Sequence, residues 1–571
     1  MFANTFTRGL LMGLLLITLV ACAQATPTSA PKPAPTTAPQ IAPTTAATKP
    51  AATIAPTAVP GPQALTLPIV KEPMSISYWA AMNTAPAAVL KSYGEMGAYK
   101  ELEKRTGIKI EFQHPPTGQG TEQFNLIVAS GKYPDVIETN WLSASGGPGK
   151  YLKDGVIIRL NDSIDKYAPN LTRLFKEHPD WKRMIQTDEG DIYCFPFIRS
   201  DPIQVTFTGP VLRKDWLDKL NLKTPTTIDE WYVVLKAFKE KDPNGNGKAD
   251  EVPFNPYVSP DSANAYRGAF NNYAFISAWG IGANFYQEKG VVKYGPLQPE
   301  FKEFLKVMAQ WAKEGLIDPD FYSTKKSVFD AKVTGNQLGS AVMLSGGGIG
   351  TYIPLMAKDP TFKLVAAPYP VLKAGDKPVM SQRDNTYPGE GCAAITTANK
   401  RVVETVKLLD YAYSPEGHLL FNFGIEGVSY KMENGYPKYT DEVIKNPKNL
   451  PMSQAMALYM RANFNGPFVQ DPRYNEQFSA LPEQQDALKT WRNATNERHL
   501  PPITQTQDES KKYSTIMTDI NTLYDETFSK ILSGQMPVDK WDDFVKQIKA
   551  MGIEDAIKLR QAALDRYNKR P

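Results

Sequence analysis

SISYW (residues 75–79) and IKIEFQ (108–113) flank the longer stretch AVLKSYGEMGAYKELEKRTG (88–107), and the reading of these three segments decides the fold. The short runs carry the β-branched and aromatic residues of strands, and the segment between them has helical composition. PDVIE (134–138) then follows a second helical stretch, TEQFNLIVASGK (121–132), so strand and helix alternate. Alternation of this kind, beginning near Leu65, predicts an α/β body.

The same alternation continues along the chain. Thr227 and Glu230 stand three apart, as in a capping box, and Ile228, Trp231, Val234, Leu235 and Phe238 fall on one helical face. Phe301, Phe304, Leu305, Met308 and Trp311 form another stripe, closed by Gly315 and the turn DPDF. Both aromatic stripes are assigned to the core. Further helices are predicted at 401–413, 513–532 and 554–568, and the chain has no internal repeat.

With 571 residues, 42% of them hydrophobic, the chain is long enough for more than one core. A net charge of +4 is too balanced for a nucleic-acid binder. The aromatic share of 11%, including 27 tyrosines and nine tryptophans, suits a sugar or peptide surface and equally a packed core.

At the N-terminus, Arg8 precedes the apolar run GLLMGLLLITLV (9–20), which is too short for a bilayer span and reads as a secretory signal. It ends in Leu19, Val20, Ala21 and Cys22, similar to the bacterial lipobox, in which the signal is cut before a cysteine that takes lipid. The expectation is a signal peptide over 1–21 and a lipidated, palmitate-bearing Cys22 as first mature residue. Residues 22–64 are dominated by Thr, Ala and Pro without Asp or Glu, which predicts a disordered tether. About 40 residues of polyproline-like chain reach on the order of 100 Å. No later apolar run has membrane length, so the lipid is the expected anchor.

DPNGNGKADE (242–251) sets Asp242, Asn244 and Asn246 at positions 1, 3 and 5, Gly247 at 6 and the Lys248 carbonyl at 7. This is the first half of a calcium loop. The second half departs from the EF-hand, since position 12 is Pro253 and the remaining carboxylates, Asp250 and Glu251, stand at 9 and 10. Spacing alone leaves two readings open, a polar glycine-rich turn and a site for Ca2+, which takes six to eight hard oxygens.

Several segments together carry a resemblance: QFNLIVASGKYPDVIE (123–138), GDIYCFPF (190–197), LRKDWLDKLNLKTPTTIDEWYVVLKAFKEKDPNGNGKADEVPF (212–254), KYGPLQPEFKEFLKVMAQWAKEGLIDPDF (293–321) and LLDYAYSPEGHLLFNFGIEG (408–427). Over roughly residues 74 to 568 the chain resembles the family 1 extracellular solute-binding lipoproteins of ABC transporters, and is most similar to the branch of alginate- and oligosaccharide-binding proteins. The resemblance implies a structural calcium ion held by Asp242, Asn244, Asn246, the Lys248 carbonyl, Asp250 and Glu251. It implies a type II periplasmic-binding-protein-like fold, two α/β lobes that close on a ligand. Lobe one would take approximately 65–198 and 388–455, lobe two approximately 203–383 and 460–571. Cys194 and Cys392 would then be neighbours on hinge-adjacent strands, with two buried thiols preferred over a bridge.

The implied function is capture of an oligosaccharide at the extracellular face of the cell membrane and delivery to ABC permease subunits, by a monomer without catalytic residues. A sugar cleft needs aromatic faces and bidentate polar groups. Trp79, Trp141 and Trp279 lie at strand ends or the loops after them, and QRDNTYP (382–388) supplies Arg383, Asp384, Asn385 and Tyr387 beside a crossover. These and Arg199 are the expected ligand contacts, each with a plain alternative as core or surface. SGGGIG (345–350) offers backbone N–H groups at a helix start.

Other readings stand beside this one: a ligand sensor for a kinase, a binder of peptide or another polar solute, and, with least support, a carbohydrate-active enzyme. The chain has no HExxH, GxSxG or P-loop, and His114, His178, His418 and His499 stand in unrelated contexts, with His178 and His499 expected at the surface.

Overall fold

Met74–Ala80 pairs in parallel with Ile108–Gln113, Tyr78 standing opposite Phe112, and on its other side with Val136–Thr139, Tyr78 opposite Val136. Parallel neighbours need crossover connections, which the helices Gly97–Thr106 and Gly120–Ser130 supply. Both helices end at a glycine in the left-handed region, Gly107 and Gly131. Cys392–Ile395 closes the sheet antiparallel to Val136–Thr139, with Cys392 opposite Thr139. The structure, a computed structural model, describes residues 64–256, 274–321, 323–448 and 450–570. The expected signal peptide, Cys22 and the tether up to residue 63 lie outside them.

The single helix expected over 88–107 is divided into a 3-10 turn, Tyr93–Glu95, and the helix Gly97–Thr106. The reason is local competition for hydrogen bonds. Ser92 Oγ accepts from Gly94 N at 3.2 Å and His114 Nε2 accepts from Tyr93 N at 3.1 Å. The other ring nitrogen, Nδ1, donates to the Ala80 carbonyl at 2.7 Å, which fixes the tautomer. Burial holds the His114 pKa below the usual histidine value.

A second sheet is antiparallel throughout, Thr208–Arg213 lying between Ser340–Leu344 and Leu364–Ala366. Against it pack the helices read from the apolar stripes. Ile228–Glu240 buries Ile228, Trp231, Val234, Leu235 and Phe238, and its capping box forms in both directions between Thr227 and Glu230. Pro299–Lys313 buries Phe301, Phe304, Leu305, Met308 and Trp311. The long helices Gln507–Leu532 and Ile553–Lys569 complete this side.

Two large cores result. One draws on Ile76 to Ile198 and on Tyr387 to Tyr474, the other on Leu212 to Met380 and on Met517 to Leu564. Met460, Ala462, Phe464, Phe468 and Val469, which the sequence reading places in lobe two, pack in the first core instead. The cause is a short parallel pairing of Val469–Gln470 with Ile198–Arg199, which draws the returning chain back to the first side. Phe195 bridges antiparallel to Ala393, and beside this bridge Cys194 and Cys392 form a disulfide across 198 residues of sequence. The preferred expectation of two buried thiols is corrected by this pairing.

Candidate functional site

Between the two cores the chain leaves a cavity of about 420 Å3. Its first wall carries Asn83, just beyond the strand Met74–Ala80, with Ser453 and the loop Asn463–Asn465. Facing it, Ser345, Gly346 and Gly347 continue from the strand Ser340–Leu344 through a π turn, Ser345–Ile349, into the helix Gly350–Leu355. Arg199, Gln204, Phe207 and Gln470 come from the crossing segments, and Tyr474, Asn475 and Phe478 from the helix Pro472–Phe478. The strand ends and their following loops therefore open on one cleft, as the α/β architecture requires.

Hydrogen bonds fix many of these side chains before any ligand arrives. Tyr93 O–H donates to Asn83 Oδ1 at 3.1 Å, and Tyr474 O–H donates to Asn463 Oδ1 at 3.0 Å. Asn465 Nδ2 donates to Glu390 Oε2 at 2.8 Å, and Gln470 Nε2 to the Ala462 carbonyl at 2.6 Å. At Gly346 the backbone approaches closely, and a Cβ there would sit 2.6 Å from the Phe478 ring and force it to shift. Two polar atoms on the wall, Gln204 Nε2 and Asn475 Oδ1, are buried without a hydrogen-bond partner among the described residues. Orphaned buried amides are costly.

Of the expected ligand contacts, Arg199 is the one among the described lining residues. Its guanidinium pairs with Asp384 and lies over the rings of Phe207 and Phe197. Trp79 is core, 4% exposed and packed near Phe124. Trp141 is fully buried, edge-on to Phe124 and Tyr151, with its Nε1 donating to the Cys392 carbonyl at 3.1 Å. Tyr387 is also fully buried, sharing a 2.9 Å hydrogen bond with Tyr193 and donating to Cys392 Sγ at 3.1 Å. For these three the plain core alternative is the observed one, because strand ends in the first core are sealed by aromatic contacts. Trp279 is half-buried, edge-on to Phe304, while Arg383 is exposed and Asn385 half-buried, all outside the cavity lining. SGGGIG does open a helix at the cleft.

Among the lining residues that sequence reasoning missed are the amides Asn83, Gln204, Asn463, Asn465, Gln470 and Asn475. Amides are common in loops, and only the Gly-Pro punctuation of ANFNGPF (462–468) hinted at a special turn, realised as Gly466 at φ +137°.

The loop 242–251 winds on itself. Asp242 accepts from the backbone N–H groups of Gly245, Asn246 and Gly247 at 2.9 to 3.1 Å, with Gly245 and Gly247 both at φ +75°. Asn244 Nδ2 and Asn246 Nδ2 donate to Asp250 Oδ1 at 3.1 and 3.0 Å. Hydrogen bonds from Asn244 to the Asn336 carbonyl and from Gln337 to Asp250 tie the loop to the approach of the strand Ser340–Leu344. Among the described residues no group of three or more His, Cys, Asp or Glu side chains is gathered into a metal cluster. Even so, both carboxylate oxygens of Glu251 are buried without a hydrogen-bond partner among the described residues. Burial, with the nearby charges of Asp242 and Asp250, pushes the Glu251 pKa up. A hard oxygen donor set with an orphaned buried carboxylate fits a calcium ion.

Comparison with known proteins places this geometry in context. The fructooligosaccharide ABC transporter substrate-binding protein FusA of Streptococcus pneumoniae serotype 4 is 28% identical over 492 residues, 82% of this chain and 86% of FusA. The polygalacturonan/rhamnogalacturonan-binding protein YtcQ of Bacillus subtilis is 30% identical over 233 residues, covering 40% of this chain and 43% of YtcQ. The crystal structure of alginate-binding protein AlgQ2 without calcium ion superposes with a TM-score of 0.69 at 29% identity, covering 87% of this chain and 99% of AlgQ2. The fold is thus the two-lobe, periplasmic-binding-protein-like α/β fold with its ligand cleft between the lobes. Residues 87–418 match the bacterial extracellular solute-binding proteins, and the chain belongs to that family.

Proposed function

We propose that this protein captures an oligosaccharide by closure of its two lobes and hands it to the permease subunits of an ABC transporter. The observation that carries this reading is the cavity of about 420 Å3 walled by both sides of the molecule and lined by amides, hydroxyls and aromatic rings. A sugar offers hydroxyls that both donate and accept, and ring faces that pack on aromatics. FusA, similar over most of its length, supports the substrate class and the transporter partner.

The role is binding, without covalent chemistry. Ligand contacts made only in the closed form shift the population of lobes, and a permease that reads surfaces brought together by closure would respond to loaded protein. The N-terminal reading supplies the location: a lipidated Cys22 with a Thr/Ala/Pro tether would hold a monomer on the outer face of the cell membrane. Among the described residues no helix is long and apolar enough to cross a membrane.

In the same reading a structural Ca2+ is held by Asp242, Asn244, Asn246, the Lys248 carbonyl, Asp250 and Glu251. The ion would neutralise the carboxylates of Asp242, Asp250 and Glu251 and lock the loop onto Asn336 and Gln337, away from the cleft.

Thermal unfolding against a panel of oligosaccharides tests the function, since ligand bound only by native protein raises the melting temperature by mass action. A dose-dependent rise with sugar recovered unchanged is the expected outcome. Cleaved sugar would turn the reading to an enzyme, and a rise only with peptides would turn it to another solute.

A further inference from the structure

Resting on the oligosaccharide reading, the cleft carries a further discrimination, between uncharged sugars and sugar acids. Every described side chain lining the cavity is neutral except Arg199. That one cation is already engaged: its Nη1 donates to Asp384 Oδ2, and its side chain is 12% exposed. The pair is built in, because the backbone on both sides is pinned. Arg199 N donates to the Thr386 carbonyl at 2.9 Å and Asp384 N to the Val205 carbonyl at 2.8 Å. Gln382, whose Oε1 accepts from Phe207 N at 2.9 Å and Thr208 N at 3.2 Å, places its Nε2 3.3 Å from Asp384 Oδ1. The guanidinium is sandwiched over Phe207 and Phe197 at 5.3 and 5.8 Å.

We propose that Asp384, by neutralising Arg199, sets the cleft to accept uncharged oligosaccharides and to exclude uronate sugars. A uronate carboxylate is an acceptor only and, once desolvated, needs cationic donors, above all a free arginine fork. Here the guanidinium charge is already matched by an internal carboxylate, and a second carboxylate brought beside Asp384 meets like charge. A neutral hydroxyl faces no such penalty. It can both donate to and accept from the side-chain amides of the lining, among them Asn83, Asn463 and Asn465, whereas a carboxylate only accepts. The half-buried rings of Phe207 and Phe478 add apolar faces for the sugar ring. Asp384 acts through Arg199 and is a positioning residue for charge selectivity.

The test uses the purified full chain with two probe sets, neutral fructo-, malto- and xylo-oligosaccharides and acidic oligogalacturonates and oligomannuronates, read by melting temperature and titration calorimetry. Wild type is expected to respond to a neutral sugar and to bind the uronates at least tenfold more weakly. Asp384→Asn frees the Arg199 fork and is expected to gain at least tenfold in uronate affinity, with the gain falling as salt is raised; Arg199→Gln combined with Asp384→Asn abolishes that gain. Uronate binding tighter than neutral-sugar binding in wild type overturns the selectivity while leaving an oligosaccharide binder. A folded Asp384→Asn protein with no uronate gain overturns the role of the pair. No response to either sugar class overturns the oligosaccharide reading itself and the selectivity with it. The wild-type comparison decides even where the variant does not fold.

Discussion

Glu138 Oε1 accepts a hydrogen bond from Arg461 Nη2 at 2.6 Å, and the two side chains are 6% and 1% exposed. Their remaining groups are satisfied: Tyr78 O–H donates to Glu138 Oε2 at 2.7 Å, and Arg461 donates to Tyr99 Oη at 2.9 Å and to the Asn465 carbonyl at 2.8 Å. The guanidinium also covers the Tyr93 ring at 4.1 Å. Glu138 belongs to the strand Val136–Thr139 and Arg461 leads into Asn463–Asn465, so this pair fastens a wall of the cleft to the central sheet.

Arg461→Met should therefore cost more than the loss of one surface pair. It leaves a carboxylate buried and unpaired, a change worth about 3–5 kcal/mol. The expected result is a large drop in the denaturant midpoint. Combining it with Glu138→Gln should recover part of the loss, because the stranded charge is gone. A single variant with a wild-type midpoint would remove this pair as the anchor of the wall.

The disulfide gives a second prediction. Cys194 and Cys392 close 198 residues of chain, and loops of that size restrict the unfolded state by about 5 kcal/mol on the chain-entropy account. Alkylation of the denatured chain with peptide mapping should leave both cysteines unlabelled until reductant is added. Reduction should also lower the unfolding midpoint. Full labelling without reductant would mean that two thiols stand there.

How far the sequence carried these conclusions differs from element to element. The amphipathic helices were legible because burial on one face writes a period into the chain: Ile228 to Phe238 and Phe301 to Trp311 are buried as their spacing predicts. The split of residues 88–107 was not legible, since it depends on His114 reaching back from 21 residues away to Tyr93 N. The excursion of residues 460–474 into the first core depends on a two-residue pairing with Ile198–Arg199, too short to leave a pattern. The cleft was the least legible part. Trp79, Trp141 and Tyr387 look like sugar-binding residues by type and turn out to be core, while the lining includes asparagines and glutamines whose role comes only from position.

The loop 242–251, with the calcium ion proposed for it, should act on stability and leave binding alone. It bonds to Asn336 and Gln337 at the start of the segment that continues as the strand Ser340–Leu344, whereas the cleft begins at that strand's far end. Five residues of strand separate the two by about 17 Å. Asp242→Ala is expected to lower the melting temperature in calcium and to abolish the further rise that calcium gives wild type. With calcium at 100 times its Kd that rise corresponds to about 2.7 kcal/mol. Sugar affinity of the folded variant should stay within about threefold, which is about 0.6 kcal/mol. Loss of affinity in folded protein would show that the ion shapes the cleft.

Acid stability should be governed in part by His499, which the sequence suggested at the surface and the structure half-buries. Its Nε2 lies 3.0 Å from the Ser381 carbonyl and 3.1 Å from Asn496 Oδ1, and the same Oδ1 accepts from Ser381 N at 2.8 Å. Burial first, then the positive charge of Arg383, holds its pKa down to about 4, against the opposing effects of the Ser381 hydrogen bond and Asp384. The unfolded chain binds the proton near pH 6.5 and the folded protein only near pH 4, so protonation favours unfolding. The stability associated with neutral His499 is complete above about pH 6.5 and is lost as the pH falls towards 4, at most about 3 kcal/mol. His499→Gln keeps a donor near Ser381 but does not titrate. Its unfolding free energy should fall less steeply than that of wild type between pH 6.5 and 4, whatever its absolute value at pH 7. Parallel curves for the two proteins would mean that His499 takes up its proton without opening this corner of the fold.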